Sequence, residues 1–311
     1  MASGLPGVAG AAAVAGAIAG ATAGLLLSRE RRRFRLDRLG EFAGGPKLVA
    51  HRGGAGLVPE NTLLAFRSAV EDWASDMIEL DLRATSDGHC VVLHDPTVDR
   101  TTDGTGEVAA MTLREVRRLD AGYRFTPDGG RSFPFRGRGV RVPTIDEVFE
   151  ALPSTPLILE VKARGAQPPL FEAIRRHGAE ARVALASEAG ADWSIASDYA
   201  GLVCASATAL RRFYKLHRLR LARLWAPDVA VASVPEHWGE RRIVTPRFIR
   251  DLHTHAIPVH VWTVDDTDDM HRLLDWGVDG LITDRPDRLA DVLSDRTGRR
   301  SPPARTGLPV E

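Results

Sequence analysis

Cysteine is nearly absent: 311 residues contain two, Cys90 and Cys204, far apart and without a CxxC or zinc-ligand spacing. That argues against a disulfide framework and a thiolate metal site, so both thiols read as small buried apolar residues. A charge excess is absent too, because 41 Lys and Arg balance 41 Asp and Glu. No global field draws the chain to nucleic acid, which is not expected as a partner. Aromatic residues are sparse at 6%, and one long uncharged run stands out, at 8–27. Against these absences stand 44% hydrophobic and 26% charged residues, enough to bury a large core and unlike a disordered composition.

The run 8–27 matches the roughly 20 residues that cross a bilayer as a helix. Gly16, Gly20 and Gly24 repeat at a spacing that lets two such helices approach closely. Positive charge follows the run, in Arg29-Glu30-Arg31-Arg32-Arg33, whereas a cleavable signal carries it in front. The expectation is a single-pass transmembrane anchor over 1–28, a basic linker over 29–46, and a cytoplasmic main domain by the positive-inside rule. The alternative is a soluble cytoplasmic protein with a low-complexity leader. Residues 294–311, rich in Pro, Arg, Gly and Ser, read as a disordered tail.

Between 47 and 293, strand-like apolar runs alternate with helical patterns over a length close to the ~250 residues of an eight-stranded parallel barrel. The predicted strands are 47–51, 77–81, 157–161, 182–186, 202–205, 228–232, 259–263 and 280–283. Helices are predicted over 61–73, 169–177, 189–199, 207–225, 246–255, 267–276 and 286–293, with Thr245 and Asp284 set as caps before prolines. Asp87-Gly88 is a two-residue hairpin turn that would set Asp81 opposite His94. The following stretch, about 96–142, is too long for a barrel loop and reads as a small inserted lobe over the mouth. The fold class is therefore α/β, a TIM barrel with an insertion after a hairpin at the second strand and an N-terminal hydrophobic helix.

Chemistry-bearing residues gather at the C-terminal ends of these strands, where such barrels carry their active sites. His51-Arg52 closes the first strand, Glu79-x-Asp81 the second, Glu160-x-Lys162 the third, and His94 returns on the hairpin. Glu79, Asp81 and Glu160 offer hard oxygen ligands that suit one Ca²⁺ or Mg²⁺. A cation beside Arg52 and Lys162 would concentrate positive charge on a phosphoryl group, with His51 and His94 exchanging protons. Glu60 orients Arg52 or bonds backbone in its loop. Trp262 stacks on the apolar part of a substrate or plugs the barrel top, and His260, below the rim, reads as a hydrogen-bonded core histidine. The arginine-rich stretch from Arg211 to Arg223 reads as a barrel helix with a solvated basic face, the alternative being a surface for anionic lipid.

His51-Arg52-Gly53, Pro59-Glu60-Asn61-Thr62, Glu79-Leu80-Asp81, His94-Asp95, Glu160-Val161-Lys162 and Val261-Trp262-Thr263-Val264 together resemble the glycerophosphodiester phosphodiesterases, barrel enzymes of the phospholipase C-like superfamily. The resemblance implies cation-dependent hydrolysis of glycerophosphodiesters to sn-glycerol 3-phosphate and an alcohol. By matched position, His51 and His94 are the acid/base pair, Glu79, Asp81 and Glu160 the ligands, and Arg52 and Lys162 the phosphate binders. Asp265 departs from the family's usual asparagine. Two alternatives accompany this reading: lysophospholipase D-like hydrolysis of lysophospholipids by the same residues, and a membrane-tethered phosphodiester-binding protein without catalysis. The sequence sets no oligomeric state.

Overall fold

A computed structural model describes residues 39–42, 44–187, 199 and 201–299. Eight strands run parallel: β1 (Lys47–His51), β2 (Met77–Ala84), β4 (Leu157–Val161), β5 (Val183–Ser187), β6 (Leu202–Val203), β7 (Ala232–Pro235), β10 (Val259–Trp262) and β11 (Gly280–Thr283). Their order, β6-β5-β4-β2-β1-β11-β10-β7, curls them into a TIM-barrel-like sheet. The two outer strands meet through a parallel bridge between Cys204 and Val231, where Ala205 N donates to Val231 O at 2.8 Å and Ala230 N to Val203 O at 2.8 Å. A ninth strand, β3 (Cys90–Val92), pairs antiparallel with β2 as the second arm of the hairpin, and β8 (His237–Trp238) with β9 (Arg241–Arg242) forms a separate small hairpin.

Barrel strands covered on both faces read as unbroken apolar runs, as in Leu48-Val49-Ala50 and Leu157-Ile158-Leu159, all buried. Inside the sheet, Val49, Met77, Ile158, Ala184 and Ile282 form one cluster, which Leu39 and Phe42 join from the segment ahead of β1. Larger clusters lie between the strands and the surrounding helices. Residues 96–142 bring their own apolar centre of Val98, Val108, Val116, Ala121 and Val142, packed on Val91 and Leu93.

Several expectations need correction. The hairpin register is one residue off, because Thr85 N bonds His89 O at 2.9 Å around a three-residue loop, with Gly88 in the left-handed region at φ 82°. Asp81 thus faces Leu93, whose N–H bonds its carbonyl at 3.0 Å, instead of His94. The expected strand 228–232 lies further on, at β7, since residues 230–231 bond across to β6 and the following four pair with β10. The helix expected over 207–225 stops at Arg218; Arg220 takes a positive φ of 61°, leaving Leu221 and Leu224 exposed instead of on a buried face. The leader and, but for Tyr199, the helix expected at 189–199 lie outside the described residues. The disordered tail expected from 294 is helical at its start, because the last helix runs over Pro286–Thr297 instead of ending at 293, and beyond 299 the tail lies outside the described residues.

The membrane-anchored localisation does not stand. Among the described residues no helix is long and apolar enough to cross a membrane, and the segment 8–27, which carried that expectation, lies outside them. Its uncharged length comes mostly from alanine and glycine, whose transfer into hydrocarbon is driven far less than that of leucine, isoleucine, valine or phenylalanine.

Candidate active site

Strand register builds the site. His51, the last residue of β1, lies beside Glu79 of β2, and two residues on, Asp81 lies beside Glu160 of β4. Side chains alternate along a strand, so Glu79 and Asp81 share a face. One carboxylate oxygen from each of Glu79, Asp81 and Glu160 lies within 4.8 Å of the others. Lys162, just past the end of β4, sets its Nζ 2.9 Å from Glu160 Oε2 and 3.3 Å from Asp81 Oδ1. Burial and the like charges of Asp81 and Glu160 push Glu79 up to about 8.

The loop after β1 delivers Arg52 and its partners. Thr62 caps the Leu63–Glu71 helix by accepting from Ala65 N, while its hydroxyl donates to Pro59 O at 2.7 Å, closing the Pro59-Glu60-Asn61-Thr62 turn. From that turn Glu60 Oε1 accepts from Arg52 NH1 at 2.9 Å, and Asn61 Nδ2 donates to Asp81 Oδ2 at 2.9 Å. Arg52 Nε lies 3.2 Å from Asp81 Oδ2, and its backbone N–H donates to Glu79 Oε2 at 3.3 Å. Burial disfavours the guanidinium charge, but Asp81 and Glu60 raise the Arg52 pKa overall.

Each histidine is held through Nδ1 by an aspartate. His51 Nδ1 lies 2.7 Å from Asp284 Oδ1, beyond the end of β11, and His94 Nδ1 lies 2.6 Å from Asp95 Oδ1. An ionised carboxylate only accepts, so Nδ1 carries the hydrogen and Nε2 is left to exchange a proton. Burial lowers the His51 pKa, yet the Asp284 hydrogen bond and the Glu79 charge outweigh it and the net direction is up. Arg83 Nε donates to His94 O at 2.8 Å, tying the hairpin end to β2.

These groups open on one cavity of about 600 Å³, lined by His51, Arg52, Glu79, His94, Glu160 and Lys162, with Asp81 buried just behind. Ile158, Ala186, Leu210, Trp238 and Trp262 give it an apolar part of its lining.

A model of the glycerophosphoryl diester phosphodiesterase family matches residues 51–288. The chain belongs to that family. A glycerophosphodiester phosphodiesterase of Caldanaerobacter subterraneus subsp. tengcongensis is 33% identical over 253 residues, spanning 79% of this chain and 97% of the relative. A probable glycerophosphodiester phosphodiesterase 2 of Mycobacterium tuberculosis is 32% identical over 261 residues, 80% of this chain and 91% of the relative. Among solved structures, the glycerophosphoryl diester phosphodiesterase domain of an uncharacterized M. tuberculosis protein matches with a TM-score of 0.72 at 26% identity, covering 81% of this chain and all of that one. This member of the family is an enzyme, a phosphoric diester hydrolase, and the non-catalytic binding protein falls away.

The structure thus brings together every residue named for the family site from the sequence. It adds some that sequence reasoning missed. Asp284, expected to cap a helix, instead holds His51, and Arg285 takes the cap position without a side-chain bond. Asp265 Oδ1 accepts from Thr283 Oγ1 and Asp284 N, both at 2.8 Å, so this departure from the family's asparagine fixes the turn that carries Asp284. An asparagine oxygen accepts equally well there. His260 is buried, as expected, but among the described residues neither ring nitrogen has a hydrogen-bond partner. Burial pushes its pKa down to about 4.

Proposed function

We propose that this hydrolase cleaves glycerophosphodiesters with water to sn-glycerol 3-phosphate and an alcohol. The observation that carries the reading is the carboxylate trio, gathered within 4.8 Å beside a cavity that both histidines line. Oxygen donors without sulfur or imidazole fit a hard cation. Asp81 Oδ1 is a buried oxygen met only by the Lys162 ammonium at 3.3 Å among the described residues, and Glu79, pushed up to about 8 by burial and by the charges of Asp81 and Glu160, lies where a bound cation would favour its ionised form. Glu79, Asp81 and Glu160 would hold one divalent ion, Ca²⁺ or Mg²⁺, which when bound supplies Lewis-acid stabilisation of phosphoryl charge.

Arg52 and Lys162 bind the phosphate and meet the charge that builds on its oxygens as the ester bond breaks. One imidazole takes the proton from the attacking hydroxyl; the other protonates the departing alkoxide. The attacker is either water or the adjacent glycerol hydroxyl, whose cyclic phosphate water then opens, and both routes use the same two histidines. Glu60 keeps Arg52 in place, and Trp262, 43% exposed at the rim, stacks on the alcohol portion.

A lysophospholipase D-like preference is favoured by one observation, the apolar residues Ile158, Leu210, Trp238 and Trp262 among the lining of the cavity that holds the acidic residues. Incubation with glycerophosphocholine, glycerophosphoethanolamine and lysophosphatidylcholine, with and without chelator, separates the readings. Chelator-sensitive release of sn-glycerol 3-phosphate supports the first. Preferential release of lysophosphatidic acid supports the second, and turnover unaffected by chelator contradicts the cation site.

A further inference from the structure

Arg100 was given no role from the sequence, yet its guanidinium sits between the two halves of the site. Its Nε donates to Asp95 Oδ2 at 2.5 Å, its NH1 to Glu60 Oε2 at 2.6 Å and its NH2 to Glu60 Oε1 at 2.8 Å. Each carboxylate has a second commitment. Asp95 meets His94 Nδ1 through its other oxygen, and Glu60 Oε1 also accepts from Arg52 NH1. A continuous chain therefore runs from His94 through Asp95, Arg100 and Glu60 to Arg52.

The loop carrying Arg100 is firmly built. Thr97 bridges Glu107, Gly106 N donates to Asp99 Oδ2 at 2.9 Å, and Thr102, fully buried, donates to Val98 O at 2.8 Å. Burial opposes the charge on Glu60 and on Asp95. Arg100, assisted by Arg52 on Glu60 and by His94 on Asp95, lowers both pKa values, Asp95 to about 2.

We propose that Arg100 is a positioning residue that couples the acid/base side of the site, through Asp95 and His94, to the phosphate-binding side, through Glu60 and Arg52. The inference rests on the roles given above to His94 and Arg52. A planar fork reaches two carboxylates at once and fixes the rotation of both, whereas an ammonium acts as a point charge and holds one. Without the fork, Asp95 turns more freely against Nδ1, and Glu60 no longer pins Arg52 where a phosphate oxygen arrives.

The test is steady-state kinetics of the purified full chain on glycerophosphocholine at saturating cation, for the wild type, Arg100→Gln, Arg100→Lys, Glu60→Gln, Asp95→Asn and their combinations, with thermal midpoints alongside. Arg100→Gln is expected to lower kcat and raise KM, each by about 10-fold, the lower end for partners that orient site residues. In the Glu60→Gln background the same change lowers kcat alone; in the Asp95→Asn background it raises KM alone. In the Glu60→Gln, Asp95→Asn double variant it changes neither by more than about twofold, the non-additivity of one coupled unit. Arg100→Lys, which keeps the charge and guards against a folding defect, restores one parameter and not both. Kinetics of Arg100→Gln within twofold of wild type, or a full loss persisting in the double variant, overturn the coupling. A wild type that does not turn over the diester refutes the site assignment itself and this inference with it, whereas an active wild type with silent Arg100 variants refutes the inference alone.

Discussion

His51 Nδ1 and Asp284 Oδ1 meet at 2.7 Å although 233 positions separate them. The contact joins the ends of β1 and β11, neighbours in the sheet, and places a carboxylate behind an imidazole that faces the cavity. Asp284→Asn keeps the shape and removes the charge. It is expected to lower kcat by about 10- to 100-fold. Asp284 raises the His51 pKa against burial, so the limb of the kcat profile set by His51 should shift to lower pH in the variant. Rate profiles from pH 5 to 9 check this.

Glu79 ties cation binding to stability. Its folded pKa, about 8, lies above the ordinary 4.5, so its contribution is fully present below about pH 4.5 and is lost as pH rises through 8. The cation-free protein should therefore lose thermal midpoint across that window. Ca²⁺ or Mg²⁺ at 100-fold excess over Kd should restore about 5 °C at pH 8, and less at pH 6, where protons compete. Glu79→Gln should flatten the pH dependence and reduce the cation shift. Scanning calorimetry in chelator and in excess cation reads both.

His260 works in the opposite direction. Burial lowers its pKa to about 4, so its contribution is present above about pH 6.5 and is lost as pH falls towards 4. His260→Leu should narrow the difference in unfolding free energy between pH 7 and pH 4.5, measured by urea titration. Turnover at pH 7 should persist, because His260 lies below the rim.

Gly53 makes the turn after His51-Arg52 at φ 83°, and a Cβ there would lie 2.7 Å from Ala65 Cβ and 2.8 Å from Phe66 Cδ1. Strain and overlap both oppose a side chain. Gly53→Ala should cost about 2–4 kcal/mol of stability by urea unfolding, and the displaced turn should reduce turnover in whatever fraction folds.

Much of this was legible in the sequence because buried parallel strands leave uninterrupted apolar runs, and polar residues at their ends then stand out. Leu48-Val49-Ala50 before His51 and Leu157-Ile158-Leu159 before Glu160 show the principle. What stayed hidden depends on backbone geometry or on long-range contact. The hairpin slipped by one because Asp87-Gly88 suits a two-residue turn, while Gly88 in fact closes a three-residue one. Arg220 reverses its φ, which residue spacing along 207–225 does not reveal. Asp284 reads locally as a helix cap although Arg285 takes that position, and Arg100 has partners from two other segments; neither has a local signature of its role in the site.

The central claim is that two imidazoles and a cation-binding acidic trio act together on one phosphodiester. Turnover of glycerophosphocholine by His51→Ala and His94→Ala, with Ca²⁺ and Mg²⁺ binding followed by calorimetry on the same preparations, tests it most directly. Each substitution should lower kcat by about 10²- to 10⁴-fold while cation binding persists. Wild-type turnover in both variants, or no divalent-cation binding by the wild type, would contradict the account.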